Sequence, residues 1–118
     1  MAQHPEVPYV KPSHAVLDQV KAWINAKPIF VARKSDCPYS KKTLETLFDD
    51  LHVPKDKVLL ITVDEIENGA EVKQAIIDYT GQKTVPNTYI NGRHIGGNDD
   101  LQKLKQTGEL QELLRGIV

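Results

Sequence analysis

The sequence contains very little cysteine: Cys37 is the one thiol among 118 residues. A single cysteine excludes an intramolecular disulfide and any metal site built from several cysteines. The first residues also lack the basic segment and apolar core of a secretory leader. A free thiol without such a leader fits a reducing compartment, so we expect the protein to act in the cytoplasm.

Other absences narrow the possible functions. The formal net charge is −1, so no basic surface predicts binding to nucleic acid or to an anionic membrane. No apolar run approaches transmembrane length, and the histidines show no paired spacing that would indicate a metal site. The dinucleotide-binding glycine motif is absent as well. We therefore expect a small monomer with no nucleic-acid, membrane or metal partner.

What the sequence does contain indicates one domain preceded by a short lead-in. Prolines and histidines crowd the start, which predicts a flexible segment over residues 1–12. Ser13 is a typical helix N-cap, and apolar residues recur at helical spacing after it. We therefore assign residues 13–118 to a single globular domain.

Hydrophobic periodicity through this domain predicts the order α-β-α-β-α-β-β-α-α. The strand IFVAR precedes a helix that starts at Pro38, and VLLITV is apolar almost throughout, as in a strand buried on both faces. An Asn-Gly pair inside NTYINGRHIGG predicts a hairpin. A strand–helix–strand unit implies a parallel pair, and the hairpin adds an antiparallel one. The predicted fold class is α/β, a four-stranded mixed sheet flanked by helices on both faces.

Cys37 falls where the first strand gives way to a helix. Pro38 suits the first helical position, which puts Cys37 at the N-cap, beside backbone N–H groups without partners. Those donors, the helix dipole and the nearby Lys34, Lys41 and Lys42 all favour the thiolate. The alternative is a small buried hydrophobic residue, a common fate of free cysteine. The junction and the lysines favour a reactive thiol.

Two further segments have the chemistry to complete a site around this thiol. TVPN places Pro86 just before a strand, where a tight cis turn would leave the Val85 backbone free to pair with an extended ligand. GGNDDL places two glycines before a helix start, whose N–H groups can hold a carboxylate. Simpler interpretations are an ordinary loop proline and a capped turn.

In this order and spacing, CPYS, TVP and GGNDDL resemble the motifs of the glutaredoxins, and the resemblance extends from Ser13 to the C-terminus. It implies the thioredoxin fold, a cis peptide before Pro86, and a groove beside Cys37 that binds glutathione. It also implies a glutathione-disulfide oxidoreductase with no metal cofactor. Its implied partners are glutathione and glutathionylated proteins or small mixed disulfides.

The resemblance implies roles for individual residues as well. Cys37 is the nucleophile, Lys34 meets the glycine carboxylate of glutathione, and Tyr39 flanks the sulfur. Val85 pairs with the cysteinyl backbone of the ligand. The backbone N–H groups of Asn98 and Asp99, at the start of the helix that follows the two glycines of GGNDDL, receive the γ-glutamyl carboxylate. The full set of implied glutathione contacts is Lys34, Cys37, Tyr39, Lys73, Lys83, Thr84, Val85, Pro86, Gly97, Asn98, Asp99 and Asp100.

Three residues depart from the family pattern. Asp36 precedes the nucleophile, where its carboxylate opposes thiolate formation, and Lys73 stands where a glutamine is common. Ser40 occupies the position of the resolving cysteine in dithiol members. Serine cannot attack a disulfide, so Ser40 implies a monothiol mechanism in which its hydroxyl donates to the sulfur. Ser40 is either natural or an engineered replacement in a CPYC-type protein, and the sequence leaves both open.

Two other functions are compatible with this fold. One is a module that holds an iron–sulfur cluster through Cys37 and glutathione. Members suited to that role usually have glycine after the cysteine, so Pro38 disfavours it. The other is a redox-inert interaction domain, which would not need Lys34, Val85 and the GGNDD turn.

Overall fold

The computed structural model describes residues 9–118, which form an alternation of helices and strands. The helices are α1 (His14–Ala26), α2 (Pro38–Glu45), α3 (Gly69–Thr80), α4 (Asn98–Thr107) and α5 (Glu109–Leu113). The strands are β1 (Ile29–Arg33), β2 (Val58–Thr62), β3 (Asn87–Ile90) and β4 (Arg93–Gly96). This is the element order that the hydrophobic periodicity predicted.

The four strands form one mixed sheet in the order β2-β1-β3-β4. Strand β1 runs parallel to β2 and antiparallel to β3, and β3 and β4 form the hairpin. One prediction about this sheet is wrong. Strand β2 was expected to be buried on both faces, but after Val58 its residues are only half-buried. It lies at the edge of the sheet, where one side has no neighbouring strand.

Helices cover both faces of the sheet, and each face has its own hydrophobic cluster. Side chains of β1 alternate between the two faces, so Ile29 and Val31 join one cluster while Phe30 joins the other. The first cluster is completed by α4, α5 and the end of α2, and the second by α1 and α3. Both faces of the central strand are thus buried, and its carboxyl end is fixed where Cys37 follows.

Local signals in the sequence set the ends of several elements. The Ser13 hydroxyl accepts a hydrogen bond from the Val16 N–H at 3.2 Å and begins α1. Gly81, with φ of 77°, ends α3 in the left-handed conformation. Asn91 and Gly92 also have positive φ, as a two-residue hairpin turn of type I′ requires.

Helix α2 continues into a single π-helical turn, Thr46–Asp50. This turn ends with two acidic residues, an arrangement that opposes the helix dipole. Lys105 of α4 compensates for one of them, because its ammonium group lies 2.9 Å from the Asp50 carboxylate. The ion pair ties this π-helical turn to α4.

The lead-in predicted over residues 1–12 lies mostly outside the described residues. Its last part contacts α3: the Tyr9 hydroxyl donates to Asp78 at 3.0 Å, and Pro12 is buried. The Ser13 N–H donates to Glu71 at 2.9 Å. The domain boundary after residue 12 stays a prediction. No helix within residues 9–118 combines the length and the apolarity needed to cross a membrane.

Candidate active site

Cys37 lies at the N-cap of α2, at the point where the chain leaves the central strand. Its φ and ψ, −87° and 117°, are extended, and Pro38 takes the first helical position, as the sequence predicted. The Cys37 N–H donates to the Lys34 carbonyl at 3.4 Å. Cys37 is half-buried, so part of the residue is exposed to solvent.

The pKa of the Cys37 thiol is lowered from its ordinary value. Partial burial raises this pKa, but hydrogen bonds from the Ser40 side chain and from the N–H groups of Ser40 and Tyr39 outweigh that effect. The charge of Asp36 raises the pKa, as expected from the sequence. The lowering comes from these hydrogen bonds, and the predicted contribution of the lysines stays a prediction.

Ser40 lies one turn into α2 and is fully buried. The Ser40 hydroxyl has no hydrogen-bond partner of normal geometry within residues 9–118. It nevertheless lies near enough to the sulfur to lower the pKa of Cys37. A buried donor without another partner gains most by turning toward the thiolate, so Ser40 stabilises the charged form.

The Val85–Pro86 peptide bond is cis, as predicted. This turn contacts Cys37 directly, because the Cys37 thiol donates to the Val85 carbonyl at 3.8 Å. No hydrogen bond within the described residues uses the Val85 N–H. The backbone beside the sulfur therefore offers an unused donor to an extended ligand.

Gln82 braces this turn and was not identified from the sequence. Its side-chain nitrogen donates to the Thr84 carbonyl at 2.8 Å and to the Pro86 carbonyl at 2.9 Å, on either side of Val85. The Gln82 N–H donates in turn to the Thr80 hydroxyl at the end of α3. A glutamine in a turn carries no periodic signal, so only the folded chain reveals this double contact.

A groove of about 480 Å³ runs beside the cis turn, and we call it the first groove. It collects residues that lie far apart in the sequence, from the start of α2, the loop before β3 and the start of α4. Its lining residues are Tyr39, Gln82, Thr84, Val85, Pro86, Gly97, Asn98, Asp99 and Asp100. All of them except Gln82 were predicted from the sequence to contact a ligand.

The first turn of α4 forms one end of this groove. Gly97 is the N-cap, and its N–H donates to the Asp100 carboxylate at 3.1 Å. The side-chain oxygen of Asn98 is already used within the protein. It accepts a hydrogen bond from the Thr43 hydroxyl at 3.0 Å and another from Gln102 at 3.1 Å. The backbone N–H groups of Asn98 and Asp99 have no carbonyl acceptor within residues 9–118.

The predicted lysines lie outside the first groove. Lys73 and Lys83 line a small adjoining hollow together with Thr84 and Val85. Lys34 borders neither space; its charge is among the lesser causes that lower the pKa of Asp64, after two hydrogen bonds from Ser35. Their predicted contacts with glutathione stay predictions.

A second groove, of about 520 Å³, has Cys37 itself in its lining. We define it by its six residues: Arg33, Ser35, Asp36, Cys37, Pro38 and Lys41. None of these residues lines the first groove. Cys37 thus lines the second groove, and its thiol contacts the Val85 carbonyl beside the first groove.

Comparison with known proteins identifies the family. A family model described as Glutaredoxin matches residues 29–95. Glutaredoxin-1 of Saccharomyces cerevisiae is 50% identical over 106 residues, which cover 90% of this chain and 96% of the yeast protein. The chain belongs to the glutaredoxin family. Glutaredoxins are glutathione-dependent oxidoreductases, so the chain is an enzyme of that class.

Solved glutaredoxin structures share the fold. Wheat glutaredoxin matches with a TM-score of 0.77 at 36% identity, covering 88% of this chain and 93% of that one. The buckwheat glutaredoxin–glutathione complex matches with a TM-score of 0.77 at 30% identity, covering 91% and 99%. The predicted thioredoxin fold of this glutaredoxin is thus confirmed.

Proposed function

We propose that this glutaredoxin removes glutathione from mixed disulfides by a monothiol cycle in which Cys37 is the sole nucleophile. The observation that carries the proposal is the setting of this thiol. Its pKa is lowered by donors at the start of α2, and the position one turn into that helix holds Ser40. The sequence contains no other thiol that could resolve a disulfide.

The cycle has two exchange steps, both of which balance without another oxidant. The Cys37 thiolate attacks the glutathionyl sulfur of the mixed disulfide, forms a disulfide with it, and expels the target as a thiolate that takes up a proton. A second glutathione, as thiolate, then attacks the glutathionyl sulfur. This step releases glutathione disulfide and restores the Cys37 thiolate.

Glutathione is proposed to lie in the first groove. The Val85 N–H is available for pairing with the cysteinyl backbone of the ligand, next to Cys37. The first turn of α4 offers the N–H groups of Asn98 and Asp99 to the γ-glutamyl carboxylate, where the helix dipole also favours an anion. The existence of a buckwheat glutaredoxin–glutathione complex supports this assignment.

Ser40 makes Cys37–glutathione the expected long-lived intermediate, because no neighbouring thiol can displace the glutathione. The cycle is the same whether Ser40 is the natural residue or replaces a resolving cysteine. Introducing Ser40→Cys tests the assignment directly. It should add the ability to reduce protein disulfides, while the mixed-disulfide activity persists.

The decisive experiment measures turnover of the mixed disulfide of glutathione and 2-hydroxyethanethiol, with glutathione, glutathione reductase and NADPH supplied. We expect turnover that is lost in Cys37→Ser. We also expect mass spectrometry to find one glutathione on Cys37 after exposure to glutathione disulfide. A folded protein that shows neither turnover nor adduct would contradict the proposal.

The cluster-binding alternative predicts a different result. Protein purified without oxygen would then absorb visible light as an iron–sulfur cluster does, and would dimerise around it. We expect a colourless monomer by absorption and gel filtration.

We infer the cytoplasm as the place of action, because the second step consumes reduced glutathione and a reducing compartment supplies it. Cell fractionation would test this inference.

A further inference from the structure

The second groove carries positive charge beside the nucleophile. Arg33 and Lys41 line it from the end of β1 and the first turns of α2, and Asp36 is its one acidic residue. Neither cation has a carboxylate partner within residues 9–118, where the ion pairs are Lys105–Asp50 and Arg115–Glu112.

Arg33 is held in place without being neutralised. Its Nε donates to the Thr62 hydroxyl on the neighbouring strand at 3.0 Å, and the side chain is half-buried. No hydrogen bond within the described residues uses its two terminal nitrogens. A guanidinium fixed at one nitrogen presents the remaining donors in a planar arrangement that fits a carboxylate.

The Asp64 carboxylate, on the loop after β2, is already engaged. Asp64 accepts hydrogen bonds from both the backbone N–H and the hydroxyl of Ser35. These bonds lower the pKa of Asp64 and hold its side chain on the Ser35 loop. The Asp36 carboxylate, which lines the groove itself, forms no ion pair within the described residues, so Arg33 and Lys41 remain available to a carboxylate from another molecule.

We propose that the second groove binds an acidic side chain of a glutathionylated protein target, close in sequence to the target cysteine. This inference rests on the proposed function, in which glutathione occupies the first groove. The rest of the target must then lie elsewhere around the Cys37 sulfur. An extended chain advances about 3.3 Å per residue, so a side chain one or two residues from the target cysteine can reach a groove that Cys37 itself lines.

The test uses three glutathionylated peptides that differ only beside their cysteine, with Glu, Gln or Lys at the two flanking positions. We expect kcat/KM to decrease in the order Glu, Gln, Lys, with about a two- to fivefold difference between the first and the last, the range of exposed ion pairs. The difference should shrink as salt is added, because ions screen exposed charges.

Variants then assign the preference to the groove. Lys41→Gln removes an exposed charge from the groove, and Arg33→Gln removes the anchored one; each should reduce the ratio of kcat/KM between the Glu and Lys peptides. Lys42→Gln is the matched control, since this exposed neighbour on α2 does not line the groove and should leave the ratio unchanged. Urea unfolding checks that each variant is folded, and Lys41→Gln carries the test if Arg33→Gln is not.

Several results would overturn the proposal. One is equal turnover of all three peptides by the wild-type protein. Another is a Lys42→Gln variant that lowers the kcat/KM ratio as much as Lys41→Gln, which would indicate that the overall positive charge near Cys37, and not the second groove, causes the preference. A higher KM for glutathione in Lys41→Gln, equal with every peptide, would assign the groove to a glutathione carboxylate instead. Failure of the proposed function is distinguishable, because the hydroxyethyl mixed disulfide would then not be turned over at all.

Discussion

The hydroxyl of Thr43 donates a hydrogen bond to the side-chain oxygen of Asn98 across 3.0 Å. This bond joins α2, which begins beside Cys37, to the first turn of α4, which forms one end of the first groove. Gln102 strengthens the junction by donating to Asn98 and to the Thr46 hydroxyl. Partly buried polar contacts therefore fix the start of α4 relative to α2.

Replacing Thr43 with valine removes this donor while keeping the shape of the side chain. We expect the free energy of unfolding to fall by about 1 kcal/mol, the usual net contribution of one hydrogen bond. We also expect a higher KM for a glutathione mixed disulfide, because α4 loses its fixed position relative to Cys37. Steady-state kinetics and urea unfolding measure the two effects. Thr43→Ser retains the hydroxyl and should keep KM near the wild-type value; a Thr43→Val enzyme with unchanged KM would contradict the positioning role.

Removing the hydroxyl of Ser40 should change the pH dependence of Cys37. The lowered pKa means that the thiolate, and with it the rate of alkylation, rises at a lower pH than for an ordinary cysteine. Ser40→Ala removes one of the donors that lower this pKa, so the rise should move to higher pH. The measurement is the rate of iodoacetamide alkylation against pH. Thr43→Val is the control, since it removes another buried hydroxyl of α2 that does not act on the sulfur, and its profile should match the wild type.

Substitution of Gln82 tests the two hydrogen bonds by which its side chain holds the cis turn. Gln82→Glu keeps the size of the side chain but cannot donate to the Thr84 and Pro86 carbonyls. We expect kcat/KM for a mixed disulfide to fall by up to about thirtyfold, since two hydrogen bonds of about 1 kcal/mol each hold the Val85 backbone in the orientation proposed to pair with the ligand.

The glutamate also adds negative charge to the groove, so Gln82→Met serves as the neutral comparison. It lacks the donor and the charge, and we expect it to lose activity to a similar extent. If Gln82→Met kept full activity, the effect of glutamate would be electrostatic and the brace unnecessary.

Gly97→Ala should affect the groove without affecting the fold. A methyl group there would lie 3.7 Å from the Pro86 carbonyl oxygen and 3.8 Å from the Gln82 side-chain nitrogen, both ordinary contacts. We therefore expect normal stability and a raised KM for glutathione mixed disulfides, because the methyl group narrows the first groove. Gly69→Ala is the contrasting variant: its methyl group would collide with the Val63 carbonyl oxygen. It should lower the midpoint of thermal unfolding while leaving the KM of the folded enzyme unchanged.

The sequence by itself determined the order of the elements and the place of the one thiol. Hydrophobic periodicity placed the helices and strands, and local signals such as Ser13, Gly81 and the Asn91–Gly92 pair set their ends, because each acts within a few residues. The position of Cys37 at a strand-to-helix junction followed from the same local pattern. So did the groups that line the first groove, once their motifs were matched to the family.

Only the tertiary structure decided which contacts make these groups work together. The edge position of β2, the Lys105–Asp50 ion pair and the Thr43–Asn98 bond all join segments far apart in the chain, and periodicity carries no information about such pairs. The cause of the lowered pKa of Cys37 likewise became clear only in the folded structure. Sequence spacing predicted that lysine charge would lower this pKa, whereas the lowering found in the structure comes from hydrogen bonds. The short-range donors of the Ser40 side chain and the first-turn backbone act at fixed positions beside the sulfur, and those positions exist only once α2 has formed and packed.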